Sequence, residues 1–149
     1  MKKPNSIECS LPKATLKAIP STTKERKRFL QSRFAAFAGK DFPCPALGGR
    51  VKVIKKSVNE TAFHASKSRR STICALMLPA IVKSADLVET KTPKGGRQTK
   101  EFFFKKLHVL EVHVKYYGTA RLTVGERSAG NFVEYCITNI KIAKSNPQC

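Results

Sequence analysis

Residues 57–72 read SVNETAFHASKSRRST, and residues 73–82 continue as the apolar run ICALMLPAIV. Ser57 and Glu60 have the spacing of a capping box, in which a serine hydroxyl and a carboxylate three residues later each satisfy a backbone N–H left free at a helix start. The spacing predicts a helix that begins at Ser57 and runs into the apolar stretch. Pro79 kinks or restarts it there, because proline lacks the N–H and clashes with the preceding turn. A helix repeats every 3.6 residues, so Glu60, His64 and Lys67 or Ser68 fall on one face and bring an acid, a titratable ring and a cation together. Two readings of that face stay open. In one it is a reactive site. In the other Glu60 caps, His64 is half exposed, and Lys67, Arg69 and Arg70 are solvated charge.

Working outward toward the N-terminus, residues 50–56 (RVKVIKK) alternate as a half-buried strand with Val51 and Val53 on one side, fed by the turn-rich segment DFPCPALGG at residues 41–49. Residues 21–38 (STTKERKRFLQSRFAAFA) form an amphipathic basic helix with a Ser or Thr N-cap. Gly39 stops it, and Phe29, Leu30, Phe34 and Phe37 supply a core-facing stripe. Residues 1–20 are basic and broken by Pro4, Pro12 and Pro20, which reads as a flexible arm or a loosely docked extension ahead of a single domain over residues 21–149.

Toward the C-terminus, residues 86–90 (DLVET) make a brief strand, and residues 91–100 (KTPKGGRQTK) make a basic loop in which Lys94, Arg97 and Lys100 either suit a phosphate backbone or are plain solvated charge. The period then changes from helix to strand. Residues 102–117 (FFFKKLHVLEVHVKYY) set Leu110, Val112, Val114 and Tyr116 against Val109, Glu111, His113 and Lys115. Residues 120–125 and 132–143 add two more strands, with a turn at Gly118-Thr119. Helices first and strands afterwards indicate an α+β fold, with N-terminal helices packed on one face of an antiparallel β-sheet that ends in a three-stranded meander. Arg121, with Glu111, His113, Lys115 and Thr123, is left facing solvent or a ligand.

The 149 residues are enough for one domain with a real core. Lys and Arg number 29 against 10 Asp and Glu, a net charge of +19 that attracts polyanions, nucleic acid first among them. No apolar run approaches the roughly 20 residues of a spanning helix, and the start has no apolar signal region, so an intracellular, cytoplasmic protein that does not enter membranes is expected. Five scattered cysteines without a CxxC pair read as free thiols, with Cys74 and Cys136 as small buried hydrophobes. The few, dispersed acids outline no metal site, and no cofactor is expected. Walker, GxSxG and HExxH patterns are absent from the sequence.

The order of elements, with NETAFHASKSRRST before an apolar helix, the ADLVET strand, a basic loop and closing LTVGER and EYCIT strands, resembles the nuclease-like domains of phage and mobile-element polyvalent proteins. That group is similar to the wider superfamily of barnase, EndoU, colicin and RelE-like ribonucleases. Over residues 51–144 the resemblance implies a metal-independent, toxin-like RNA-cleaving or nuclease-derived domain, with His64, Lys67, Arg69 and Thr138 as catalytic residues. Glu60 and Tyr135 are secondary candidates, and the resemblance allows an acidic immunity or inhibitor protein as partner. Metal-free cleavage needs a base for the 2′-hydroxyl proton, an acid for the leaving 5′-oxygen and cations for the phosphorane, and a histidine serves either proton step near neutral pH. His108, beside Lys105 and Lys106, and His113, beside Glu111 and Lys115, are the alternatives to His64. RNA is expected over DNA, with Arg70, Lys94, Arg97, Lys100 and Arg121 as further contacts. A non-catalytic nucleic-acid-binding module of the same fold is the competing expectation.

Overall fold

Leu110, Val112 and Val114 alternate along one long strand and are each fully buried, so the strand period read from residues 102–117 sets the centre of the molecule. The structure is a computed structural model that describes residues 5–93 and 104–140, with only the backbone of residues 135, 136 and 138–140. In chain order the elements are β1 (Ser6–Ile7), α1 (Lys13–Ala18), α2 (Thr23–Phe34), β2 (Asp41–Cys44), β3 (Gly49–Lys52), α3 (Lys55–Ala65), α4 (Arg69–Leu76), α5 (Leu78–Ser84), β4 (Asp86–Lys91), β5 (Lys106–Val114), β6 (Gly118–Glu126) and β7 (Phe132–Ile140). The architecture is α+β.

One sheet of seven strands runs β1-β5-β6-β7-β3-β2, and β4 lies beside β1 on the outer edge of β5. The meander β5–β6–β7 is antiparallel, as expected. The sheet as a whole is mixed, because β1 pairs parallel with β5 and β3 parallel with β7. Both parallel strands reach their partners by connections that carry helices, and such crossovers return the chain in the same direction. Helices α3 and α4 pack on β7, and α5 packs on β2. Leu30, Phe34, Val51, Ile73, Leu78, Ile81, Leu122 and Ile137 join the β5 residues in one core. Among the described residues no helix is long and apolar enough to cross a membrane.

Several boundaries differ from the sequence expectation for identifiable reasons. Helix α3 begins two residues before Ser57. Its Ser57 hydroxyl accepts the Ile54 backbone N–H at 3.1 Å from inside the first turn, and Glu60 takes no part in capping. The continuous helix expected through residues 57–78 is broken at Ser68, whose side chain accepts the Ser71 N–H and caps α4. Pro79 sits in the first turn of α5, where its missing N–H costs nothing. Residues 5–20, read as an arm, are docked: Ser6 and Ile7 pair with His113 and Val114, and Leu16 and Ile19 pack against the core. Tyr116, assigned to the apolar face of the long strand, is 82% exposed at φ 72, because residues 115–117 already form the turn.

Candidate nucleic-acid interface

The surface of α3 is built by how the preceding helix is fastened to it. Thr22 caps α2 by accepting the Glu25 N–H at 3.2 Å, and its hydroxyl donates to the Glu25 carboxylate at 2.9 Å, a complete local start signal. Four residues on, Arg26 is buried, and its Nε donates to the Ser66 carbonyl at 2.8 Å. That carbonyl belongs to the end of α3, where helix carbonyls lack internal partners, so Arg26 satisfies it and locks α2 across α3. The next residue, Lys27, then places its Nζ 5.6 Å from the centre of the Phe63 ring.

Phe63 is 51% exposed although it belongs to an ordered helix. Lys67 Nζ stands 4.8 Å from the same ring centre, and the His64 ring meets it edge-on at 5.0 Å. His64 Nε2 lies 3.0 Å from Glu60 Oε2, one turn apart on α3, and both side chains are partly exposed. A cleft of about 380 Å³ lined by Lys55, Lys56, Asn59 and Glu60 adjoins the pair. The α3 surface therefore combines a carboxylate–imidazole pair and an aromatic ring from the helix with the ammonium groups of Lys27 from α2 and Lys67 from the turn after α3.

Behind this face, α3 turns Ser57 and Thr61 toward β7. The Ser57 hydroxyl donates to the Glu134 carbonyl at 2.6 Å, and the Thr61 hydroxyl donates to Glu134 Oε2 at 2.9 Å. Glu134 is fully buried, and its Oε1 has no hydrogen-bond partner among the described residues. Burial raises its carboxyl to about 8; the Thr61 bond opposes that rise, and the charge of Glu60 adds to it. Glu134 is thus a neutral acid at neutral pH, held behind the partly exposed carboxylate–imidazole pair.

Of the residues proposed as catalytic, His64 and Lys67 share this face. Arg69, at the start of α4, donates its Nη2 to the Leu16 carbonyl at 3.1 Å and so ties α1 to α4. Thr138 lies on β7 opposite Arg121, and its side chain is outside the described residues, as is that of Tyr135. Arg70 is exposed in the first turn of α4. Lys94, Arg97 and Lys100 also lie outside the described residues. Arg121 is on β6 with its guanidinium on Glu111 at 2.9 Å, away from α3. His108 is nearly buried, with Nδ1 on Thr90 Oγ1 and Nε2 on Glu126 Oε1, each at 2.8 Å, and it binds β4, β5 and β6 together. The bond from His108, and after it Lys105, holds Glu126 below the ordinary carboxylate range. His113 lies opposite Ser6 in the β1–β5 pairing.

Sequence reasoning passed over Phe63, Lys27 and Glu134. Phe63 had a legible signal: Val58, Ala62 and Ala65 fix the buried side of α3, and a phenylalanine on the polar side of such a helix has a task other than core packing. Lys27 had none, since its placement comes from the Arg26 contact between helices.

A family model described as large polyvalent protein-associated domain 3 matches residues 20–135. No curated protein and no solved structure matches the chain. The match supports the polyvalent-protein part of the resemblance and leaves the ribonuclease superfamily without support of its own. Its span takes in every element from α2 into β7, with Phe63, His64 and Glu134 inside it. On that span the chain belongs to the large polyvalent protein-associated domain 3 family, a domain of phage and mobile-element polyvalent proteins.

Proposed function

We propose that this domain binds RNA on the α3 surface and cleaves it without a metal ion, with His64 as the proton-transfer residue. The observation that carries this reading is the 3.0 Å contact between His64 Nε2 and Glu60 Oε2 on a cationic helix face. A carboxylate accepting from Nε2–H leaves Nδ1 as the lone-pair nitrogen, the tautomer a general base requires. Nδ1 takes the 2′-hydroxyl proton, the 2′-oxygen forms the new bond to phosphorus, and the 5′-oxygen departs with a proton from solvent. In this reading Lys67 offsets charge on the phosphorane.

A second reading, a binding module that grips phosphates without cutting, is favoured by Arg69, whose guanidinium is engaged with α1. Incubation of the protein with RNA and with DNA, each with and without EDTA, separates the two. RNA cut to 2′,3′-cyclic ends in EDTA, with DNA intact, is the expected result. Bound but intact RNA leaves the binding module, and no binding to either polymer removes both readings.

A further inference from the structure

We infer that Phe63 is a stacking platform for an unpaired base, so that the polymer bound on α3 is single-stranded; the inference rests on the nucleic-acid reading above. An aromatic ring more than half exposed on an ordered helix leaves apolar area in water that a ligand would cover. The groups around the ring decide which ligand. Lys27 and Lys67 stand 5.6 Å and 4.8 Å from its centre, and the chain carries a net charge of +19. An apolar protein partner would have to strip water from both ammonium groups without neutralising either, which is costly. A nucleotide meets both demands: its phosphates draw the two ammonium groups off the ring they now lie over, and its base takes the face they leave.

Duplex form is disfavoured by the same geometry. In a helix of paired bases each π-face is already covered by a neighbouring base, so a single protruding ring gains nothing unless the base is unpaired, in a loop, a bulge or a free strand. The His64 ring, edge-on to Phe63 at 5.0 Å, then lies beside the sugar–phosphate of the stacked nucleotide. Phe63 in this arrangement selects and orients the strand, and the imidazole acts on it.

The test uses the full chain and an oligoribonucleotide with 2′-O-methyl sugars, which the proposed chemistry cannot cut, carrying 2-aminopurine at one position and offered as a single strand and as a blunt duplex. Binding by anisotropy and stacking by 2-aminopurine emission are read for the unmodified protein, Phe63→Leu and Phe63→Trp. Phe63→Leu should weaken single-strand binding by about 5- to 100-fold, the range that stacking one base on an aromatic ring supplies, and should leave duplex binding nearly unchanged. Phe63→Trp should restore both affinity and the emission change. Equal single-strand affinity in Phe63→Leu and unmodified protein, at equal melting temperatures, overturns the platform while leaving nucleic-acid binding in place. Failure of the unmodified protein to bind either form overturns the reading beneath it as well.

Discussion

Thr61 Oγ1 lies 2.9 Å from Glu134 Oε2 across the interface of α3 and β7, and this bond does not keep the carboxyl charged. A single hydroxyl donor replaces only part of the hydration that an ionised carboxylate loses on burial, and the other oxygen has no partner among the described residues.

The first prediction follows from that pair. Glu134 ionises near 4.5 in the unfolded chain and near 8 in the folded one, so between those values the folded state holds a proton that the unfolded state has lost. Stability from this group is complete below 4.5 and is lost as pH rises toward 8. At about 1.4 kcal/mol per pKa unit the full effect is a few kcal/mol. Glu134→Gln, which mimics the neutral acid, should melt higher than the unmodified protein near pH 8 and flatten the dependence in that window. Parallel slopes for the two proteins would show that Glu134 is not the titrating group.

Replacing His64 by Ala should lower RNA cleavage by about 10² to 10⁴ and leave RNA affinity nearly unchanged, since a proton-transfer group acts mainly in the transition state. Lys67→Ala should weaken binding and turnover together, because a cation on phosphate acts in both states. Cleavage and melting measured on the same His64→Ala preparation decide the matter, and full activity would remove His64 from the chemistry.

Salt gives a third measurement. The logarithm of RNA affinity should fall linearly with the logarithm of salt concentration, by about 0.7 per single-strand phosphate contact. Lys27→Ala combined with Lys67→Ala should flatten that slope by about one to two contacts. Removing residues 1–20 is no clean test of charge, because β1 and α1 are packed parts of the fold. An unchanged slope in the double variant would move the phosphate path off α3.

Val112→Ala empties part of a fully buried position in β5 and should cost about 1 to 3 kcal/mol, whereas exposed Lys115→Ala should cost almost nothing. Denaturant midpoints for the pair check the assignment of strand faces. Equal effects would mean that the core side of β5 is wrongly placed.

A fifth outcome concerns Gly125, where an added Cβ would run into the Phe104 ring. Gly125→Ala must push that ring off the sheet and should destabilise by about 1 to 3 kcal/mol. Gly125→Ala combined with Phe104→Ala should melt no lower than Phe104→Ala alone, and an additive loss would place the strain elsewhere.

How far the sequence was legible depended on the range of the interactions. Strands β4 to β7, the core side of β5 and the role of Pro79 follow from period and from proline chemistry, which are local. The start of α3 was misread because Ser57 serves two partners, the Ile54 N–H and the Glu134 carbonyl, and the second comes from β7. Docking of β1 was invisible for a similar reason: two residues carry no periodicity, and their register is set by His113 and Val114. At the candidate site, the i to i+4 spacing foretold the Glu60–His64 contact. Lys27 over Phe63, the engagement of Arg69 with α1 and the neutral Glu134 arise from packing between elements, which no local pattern records.

The parallel pairing of β3 with β7, Val51 opposite Phe132, also orders events in time. The β5–β6–β7 meander is joined by short turns and closes cheaply, whereas β3 and α3 must wait for partners far along the chain, and such distant pairings slow folding. During synthesis α3 leaves the ribosome with its Ser57 and Thr61 hydroxyls lacking the strand they bind. Until β7 emerges, the backing of the His64 surface does not exist, so a chain still being translated carries α3 without the strand that fixes its inner side.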